Sequence, residues 1–217
     1  MAKLPVAGQV KTRLARGIGA SEALRFYRAT ARAVFGRLAR QPFWETIVAV
    51  APDAAVSSHA WPHLAPRSSR RVPQGRGDLG ARMQRPMRKL GPGPICLVGT
   101  DVPDIDVDLV RQAFRRLGSH DAVFGPAEDG GFWLVGLRRR PRIVEPYAGV
   151  RWSHAATLSE VLSNLQSHRV GFTGRLSDVD DAADLVRLGG SIGRRVLPCS
   201  SANRHPPFKP HPPPNAR

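Results

Sequence analysis

The sequence predicts an α/β domain in which helices cover both faces of a largely parallel sheet. Short apolar runs alternate along the chain with longer amphipathic stretches, the order expected of a three-layer α/β architecture. The run "ICLVG" at 95–99 is apolar without alternation, as a strand buried on both faces requires, and Asp101 follows just beyond its end. A chain of 217 residues accommodates one such domain with a full core.

Taken in order, the opening "MAKLPVAGQVKTRL" reads as a ligand-handling turn running into a helix, with no strand ahead of it to hold it. A helix is expected over 21–40, with Ser21 as N-cap and Leu24, Tyr27, Ala31, Val34, Phe35 and Leu38 at helical spacing. "ETIVAVAP" is a short strand closed by Pro52, and a loose segment rich in Ala, Ser, His and Pro runs on to about Ser69. "GPICLVGTDVPD" gives the buried parallel strand, and a helix is expected over 107–117. "DAVFGPAEDGGFWLVGL" gives two strands about a Gly-rich turn; a helix over 156–166 and the strand "RVGFTG" lead into "LSDVDDAADLVRL". The domain is therefore expected over 1–195. The remainder, 196–217, is Pro-rich with the composition of a disordered tail.

Composition narrows the function classes. No window approaches the roughly 18 apolar residues of a membrane span, and no apolar signal segment follows Met1, so a cytoplasmic protein is expected. Cys96 and Cys199 alone support neither a disulfide framework nor a cysteine zinc site, and Cys96 reads as a small core residue. A net charge of +16 favours polyanionic partners. The lysines, however, are confined to Lys3, Lys11, Lys89 and Lys209, and the Arg, Ala, Gly and Pro bias is that of a GC-rich coding sequence. Nucleic acid is therefore the lesser reading.

Four stretches could carry chemistry. Asp101 lies at the carboxyl end of a buried strand, where open α/β sheets bind ligands, and there it could hold a divalent metal; the alternative is a helix N-cap. The cluster Asp178, Asp180 and Asp181 could converge on the same metal, or could be the acidic first turn of a helix. Lys11 and Arg13 after Gly8 would supply cations to a phosphate, although the Walker spacing is absent and a solvated basic segment remains open. In "GPAEDGGFWLVG", Gly130 and Gly131 permit close backbone approach, Glu128 and Asp129 offer carboxylates, and Phe132 and Trp133 offer flat faces; a hairpin turn beside core aromatics is the alternative. "GRGDLG" at 75–80 matches the dinucleotide fingerprint, but "SSRRVPQ" ahead of it does not read as the buried strand that fingerprint needs. His59 and His63 are separated by Trp61-Pro62, which spoils a metal pair, and protease or esterase signatures are absent.

Taken together and in order, "AKLPVAGQVKTRL", "QGRGDLGARM", "VGTDVP", "GPAEDGGFWLVG", "RWS" and "DVDDAADL" resemble one bacterial family, the GT-A-like domain of unknown function 2064, over about residues 2–190. The resemblance implies a nucleotide-diphospho-sugar transferase fold, Rossmann-like, with a mixed and mostly parallel sheet. It further implies that Lys3, Lys11 and Arg13 meet the donor phosphates, with Gly8 in their turn, and that Gln74, Gly75, Asp78 and Arg82 line the nucleotide pocket. Asp101, Asp178 and Asp180 would hold Mg²⁺ or Mn²⁺, with Asp101 and Asp129 as catalytic groups. Asp129, Gly130, Gly131 and Trp152 would face a small-molecule acceptor. The sequence departs from the family in two places: the strand expected before Lys3 is missing, which points to an upstream start or a truncated copy, and Asp181 stands where the family tends to have Thr. The resulting expectation is a metal-dependent transferase using a nucleotide sugar. Nucleotidyl transfer from a nucleoside triphosphate to a phosphorylated acceptor is the alternative; a polyanion-binding protein and an NAD-dependent oxidoreductase are the rivals from other classes.

Overall fold

The computed structural model describes residues 1–66 and 69–187. The expected domain end at 195 and the Pro-rich segment 196–217 lie outside the described residues. Strand β1 (Ala2–Lys3) leads through a turn into α1 (Thr12–Ile18) and α2 (Ala20–Leu38). Next come β2 (Ile47–Ala51), β3 (Arg70–Pro73), α3 (Leu79–Lys89), β4 (Ile95–Val98) and α4 (Val107–Arg116). The antiparallel pair β5 (Ala122–Pro126) and β6 (Phe132–Leu137), then α5 (Thr157–Ser163) and β7 (Val170–Phe172), complete the order.

The strands form two hydrogen-bonded sheets. One is parallel, β1-β2-β3, and the other mixed, β4-β6-β5-β7. The strand expected to be missing ahead of the Lys-x-Pro turn is therefore present, but only two residues long: Ala2 pairs with Val50 and Lys3 with Ala51. That shortness explains why the single expected sheet divides here. The Met1 nitrogen donates to Val98 O at 2.7 Å, so the start of β1 reaches across to β4 without a ladder forming between the sheets.

Alternation along the strands produces the layers. In β4, Cys96 and Val98 face the cluster that contains Val34 and Leu38 of α2 with Val110 and Ala113 of α4. Ile95 and Leu97 face the opposite cluster, built on Met83 and Met87 of α3 and Val161 of α5. β5 divides in the same way, Val123 to the first cluster and Phe124 to the second. Helices thus cover both faces, as a sheet buried on both sides requires. Cys96 packs with the first cluster, and burial pushes its thiol well above the ordinary range, in keeping with a core residue.

β4, expected as a buried parallel strand, is half-buried and pairs antiparallel with β6, and α2 takes Gly19 rather than Ser21 as its N-cap; β3 and α3 also depart from the sequence reading. "SSRRVPQ" does contain a strand, β3, at the outer edge of the parallel sheet, where Pro73 and two arginines are tolerated because one side is open. The Gly-rich turn that follows leads into α3, whose first turn is capped by Asp78 Oδ1 accepting from Ala81 N at 2.8 Å.

The far end of α3 is closed by an arginine from beyond β6. Arg139, at φ +62°, donates to Met87 O at 2.8 Å, Gly93 O at 2.7 Å and Leu90 O at 3.0 Å, and also bonds Gly91 O. One guanidinium thus satisfies the carbonyls of Met87 in the last turn and Leu90 at the C-cap, together with two in the turn that follows. Arg139→Ala is expected to cost about 2–3 kcal/mol in urea unfolding, because charged hydrogen bonds are lost and carbonyls are left bare; a loss below about 0.5 kcal/mol, the range of a plain surface change, would contradict this reading.

Candidate active site

A cavity of about 500 Å³ opens at the carboxyl ends of β1 and β4 and beside the β5–β6 turn. A second, of about 680 Å³, adjoins it and shares Lys3 and Arg82 with it. Ligands in open α/β sheets bind at this end, because strand-to-helix turns gather functional side chains there.

Tyr27 and Thr100 hold the two strand ends together. Tyr27 Oη accepts from Lys3 N at 2.9 Å, lies 2.9 Å from Lys3 O as donor, and is 3.4 Å from Thr100 Oγ1. Burial pushes the Tyr27 phenol up to about 12, so it stays a neutral donor. Asp101 follows Thr100 and lines the cavity. Its side chain is 51% exposed, yet Oδ1 is buried and has no hydrogen-bond partner, so the exposure belongs to the rest of the carboxylate.

Lys11 lies between Asp101, just beyond β4, and Asp180, in the segment that follows β7. Its Nζ donates to Asp180 Oδ1 at 3.0 Å and stands 3.7 Å from Asp101 Oδ1, while Arg13 reaches Asp180 Oδ2 at 3.5 Å. The Lys11 side chain is only 4% exposed. Asp178 lines the same cavity. Burial, and then the Asp180 and Asp129 carboxylates, push its carboxyl up to about 6, with Lys11 opposing. The folded protein therefore holds more protons than the unfolded chain between about pH 4 and 6, and stability falls as pH rises through that window. Asp178→Asn is expected to stabilise the ligand-free protein at pH 7 by about 1 kcal/mol after solvent screening. It should also flatten the dependence of melting temperature on pH between 4 and 6, and a profile like that of the wild type would contradict this.

The remaining expected residues divide into those that face the cavities and those that support them. Gln74 lines the first cavity but is 1% exposed; its amide donates to Ala2 O at 3.1 Å and Ala49 O at 2.8 Å, and its Oε1 accepts from Arg82 Nε at 3.0 Å. It therefore ties β1 to β2 and orients Arg82. Asp78 is occupied as the α3 cap and accepts from Trp152 Nε1 at 3.3 Å, which positions the indole on the cavity wall. Gly75 lines the second cavity, where its N donates to Asp53 Oδ1 at 2.8 Å. Asp129 and Gly131 line the first cavity, with Asp129 Oδ1 accepting from Gly131 N at 2.8 Å. Gly130 shapes the turn behind them, and Gly8, at φ +73°, is in the β1–α1 turn but not among the residues lining either cavity. Sequence reasoning placed Tyr27 in the core and passed over Thr100 and Asp53. The position of Asp53 directly after the strand-closing Pro52 is the signal that could have found it.

The donor set fits a hard divalent cation shared with a ligand. All its atoms are carboxylate oxygens, and Asp101 Oδ1 is an orphaned buried acceptor. Among the described residues no three acidic, histidine or cysteine side chains stand close enough to hold a metal by themselves, so Asp101, Asp178 and Asp180 do not form a closed three-ligand site. One or two carboxylates completed by phosphate oxygens and water is the usual arrangement for Mg²⁺.

Residues 33–154 match the family described as "Uncharacterized protein conserved in bacteria (DUF2064)", more than half of the chain. The chain belongs to this family. The DUF2064 match contains Gln74, Asp78, Arg82, Asp101, Asp129 and Trp152, while Lys3, Lys11, Arg13, Asp178 and Asp180 lie outside it. A crystal structure from Desulfovibrio desulfuricans G20, described as a "putative nucleotide-diphospho-sugar transferase", superposes with a TM-score of 0.78 at 29% identity, covering 90% of this chain and 88% of that one. The chain thus has the nucleotide-diphospho-sugar transferase fold, GT-A-like, expected from the sequence. No curated protein matches it. Among the described residues no helix is long and apolar enough to cross a membrane.

Proposed function

We propose that the protein is a divalent-metal-dependent transferase that uses a nucleotide-activated sugar. The observation that carries this reading is the approach of Asp101 and Asp180 to a single cation position, presently that of Lys11 Nζ, on the wall of a cavity at the strand ends. Mg²⁺ or Mn²⁺ would be held by Asp101 and Asp180, with Asp178 beside them. It would supply Lewis-acid stabilisation of the departing diphosphate.

The chain's own residues account for the rest. The nucleoside would lie in the second cavity against Asp53 and Gly75, and Lys3 and Arg82, shared by both cavities, would flank the diphosphate. An acceptor hydroxyl would approach beside Trp152 and Asp129, its oxygen forming the new bond to the anomeric carbon as the bond from that carbon to the phosphate oxygen breaks. Asp129 would take the hydroxyl proton, and the nucleoside diphosphate would leave with the electron pair. Binding in such a site stabilises the fold by mass action, by about 2.7 kcal/mol at 100 times Kd. Thermal unfolding should therefore rise by about 5–10 °C with one of UDP-glucose, GDP-mannose, GTP or CTP when Mn²⁺ is present. A rise with GTP or CTP alone would shift the reading to nucleotidyl transfer, a metal-independent rise with NAD would replace it, and no rise with any of them would contradict it.

A further inference from the structure

Lys11 stands where the proposed cation belongs. Its ammonium is 3.0 Å from Asp180 Oδ1 and 3.7 Å from Asp101 Oδ1, and the Met1 ammonium also acts on Asp101 through space. The side chain is almost wholly buried although the two carboxylates it joins are about half exposed, so the ammonium is drawn inward by them. Its backbone contributes to this placement: Lys11 takes φ 47°, ψ 48°, a left-handed conformation that a residue with a side chain adopts only under local constraint, and as the N-cap of α1 its side chain makes no capping bond to the helix, leaving it for Asp180. An ammonium and a divalent cation cannot share the same Asp180 oxygen without strong repulsion.

We infer that Lys11 is an internal counter-cation that competes for the divalent-metal position between Asp101 and Asp180 and must be displaced before metal can bind. This rests on the proposed function for the metal but not on the identity of the nucleotide. Once displaced, the ammonium would turn into the cavity that Lys11 lines, where it would add to neutralisation of the leaving group. Lys11 is thus a positioning residue for the metal: it pairs with the two carboxylates that would hold the metal and makes metal binding weak until phosphate offers the ammonium another partner.

The test uses Mn²⁺ alone with the full chain, followed by electron paramagnetic resonance of free Mn²⁺. Lys11→Met is expected to bind Mn²⁺ at least about tenfold more tightly than wild type, the removal of one competing cation. Equal affinities, including none in either protein, would overturn the inference. Since Lys11→Met removes a buried charge and could fail to fold, wild type supplies a second readout. Acetylation of Lys11, followed by peptide mass spectrometry, should be slow in the metal-free protein and rise at least about fivefold under saturating Mn²⁺, as the ammonium is expelled. An unchanged rate under saturating Mn²⁺ would also overturn it. Failure of every nucleotide to bind with Mn²⁺ would instead strike the proposed function, so the two failures are read separately.

Discussion

Asp101→Asn is expected to weaken Mn²⁺-supported binding of the nucleotide donor by about 100-fold or more, while the metal-free protein melts within a few degrees of wild type. The cause is specific to one carboxylate. Asp101 Oδ1 is buried with no hydrogen bond, and the charges that act on it, Lys11 at 3.7 Å and the Met1 ammonium, do so through space, so few bonds of the native structure depend on it. Its loss should fall on the bound metal, where removing one anionic ligand is worth several kcal/mol, and about 2.7 kcal/mol is 100-fold. Calorimetric titration of the variant with donor and Mn²⁺ reads the effect. Affinity within about threefold of wild type would remove Asp101 from the site.

The second large effect lies in the turn behind Asp129. Gly130 takes φ +85°, and a Cβ there would stand 2.0 Å from Ala155 O and 2.6 Å from its carbonyl carbon. These are backbone atoms of the loop that leads to α5, and Leu158 N donates to Gly130 O at 2.9 Å, so neither segment can retreat without breaking that bond. Gly130→Ala is expected to cost about 3 kcal/mol or more in urea unfolding. A glycine of the opposite kind gives the control. Gly36 is exposed in the last turn of α2, and nothing lies within 4 Å of its added Cβ. Gly36→Ala should stabilise by about 0.5–1 kcal/mol. Equal effects at the two positions would mean that Gly130 is not constrained as described.

What the sequence reveals follows from which forces act locally. α2 was legible because eight of its side chains are buried at helical spacing, and β4, β5 and β6 because apolar strands between turns have few other uses. β3 was hidden because an edge strand of "RRVP" buries little, and its pairing with β2 is a tertiary event. α3 was hidden for a related reason. "LGARMQRPMRK" carries few apolar residues and an internal proline, and it is held as a helix by the Asp78 cap, by Met83 and Met87 in the core, and by Arg139 at its end.

The site was legible in its parts and not in its wiring. Asp101, Lys11 and Asp180 were each expected near phosphate and metal, and the structure does bring them together. That Lys11 is paired with Asp180, 169 positions away, was not readable, since nothing local fixes which of two nearby partners a lysine takes. Gln74 and Asp78 were expected against a nucleotide, whereas their bonds go to β1, β2, Arg82, α3 and Trp152, so they support the groups that face the cavities. Burial decides such cases, and it is a property of the fold rather than of the motif.

The most direct measurement is a crystal structure of the chain with Mg²⁺ and the nucleotide that raises its melting temperature most. The expected result is a cation about 2.1 Å from oxygens of Asp101, Asp180 and the diphosphate, with Lys11 Nζ moved from Asp180 to phosphate. A nucleotide bound away from these strand ends, or a site in which Lys11 still joins Asp101 to Asp180 beneath a bound diphosphate, would contradict a metal-dependent transferase centred on those carboxylates.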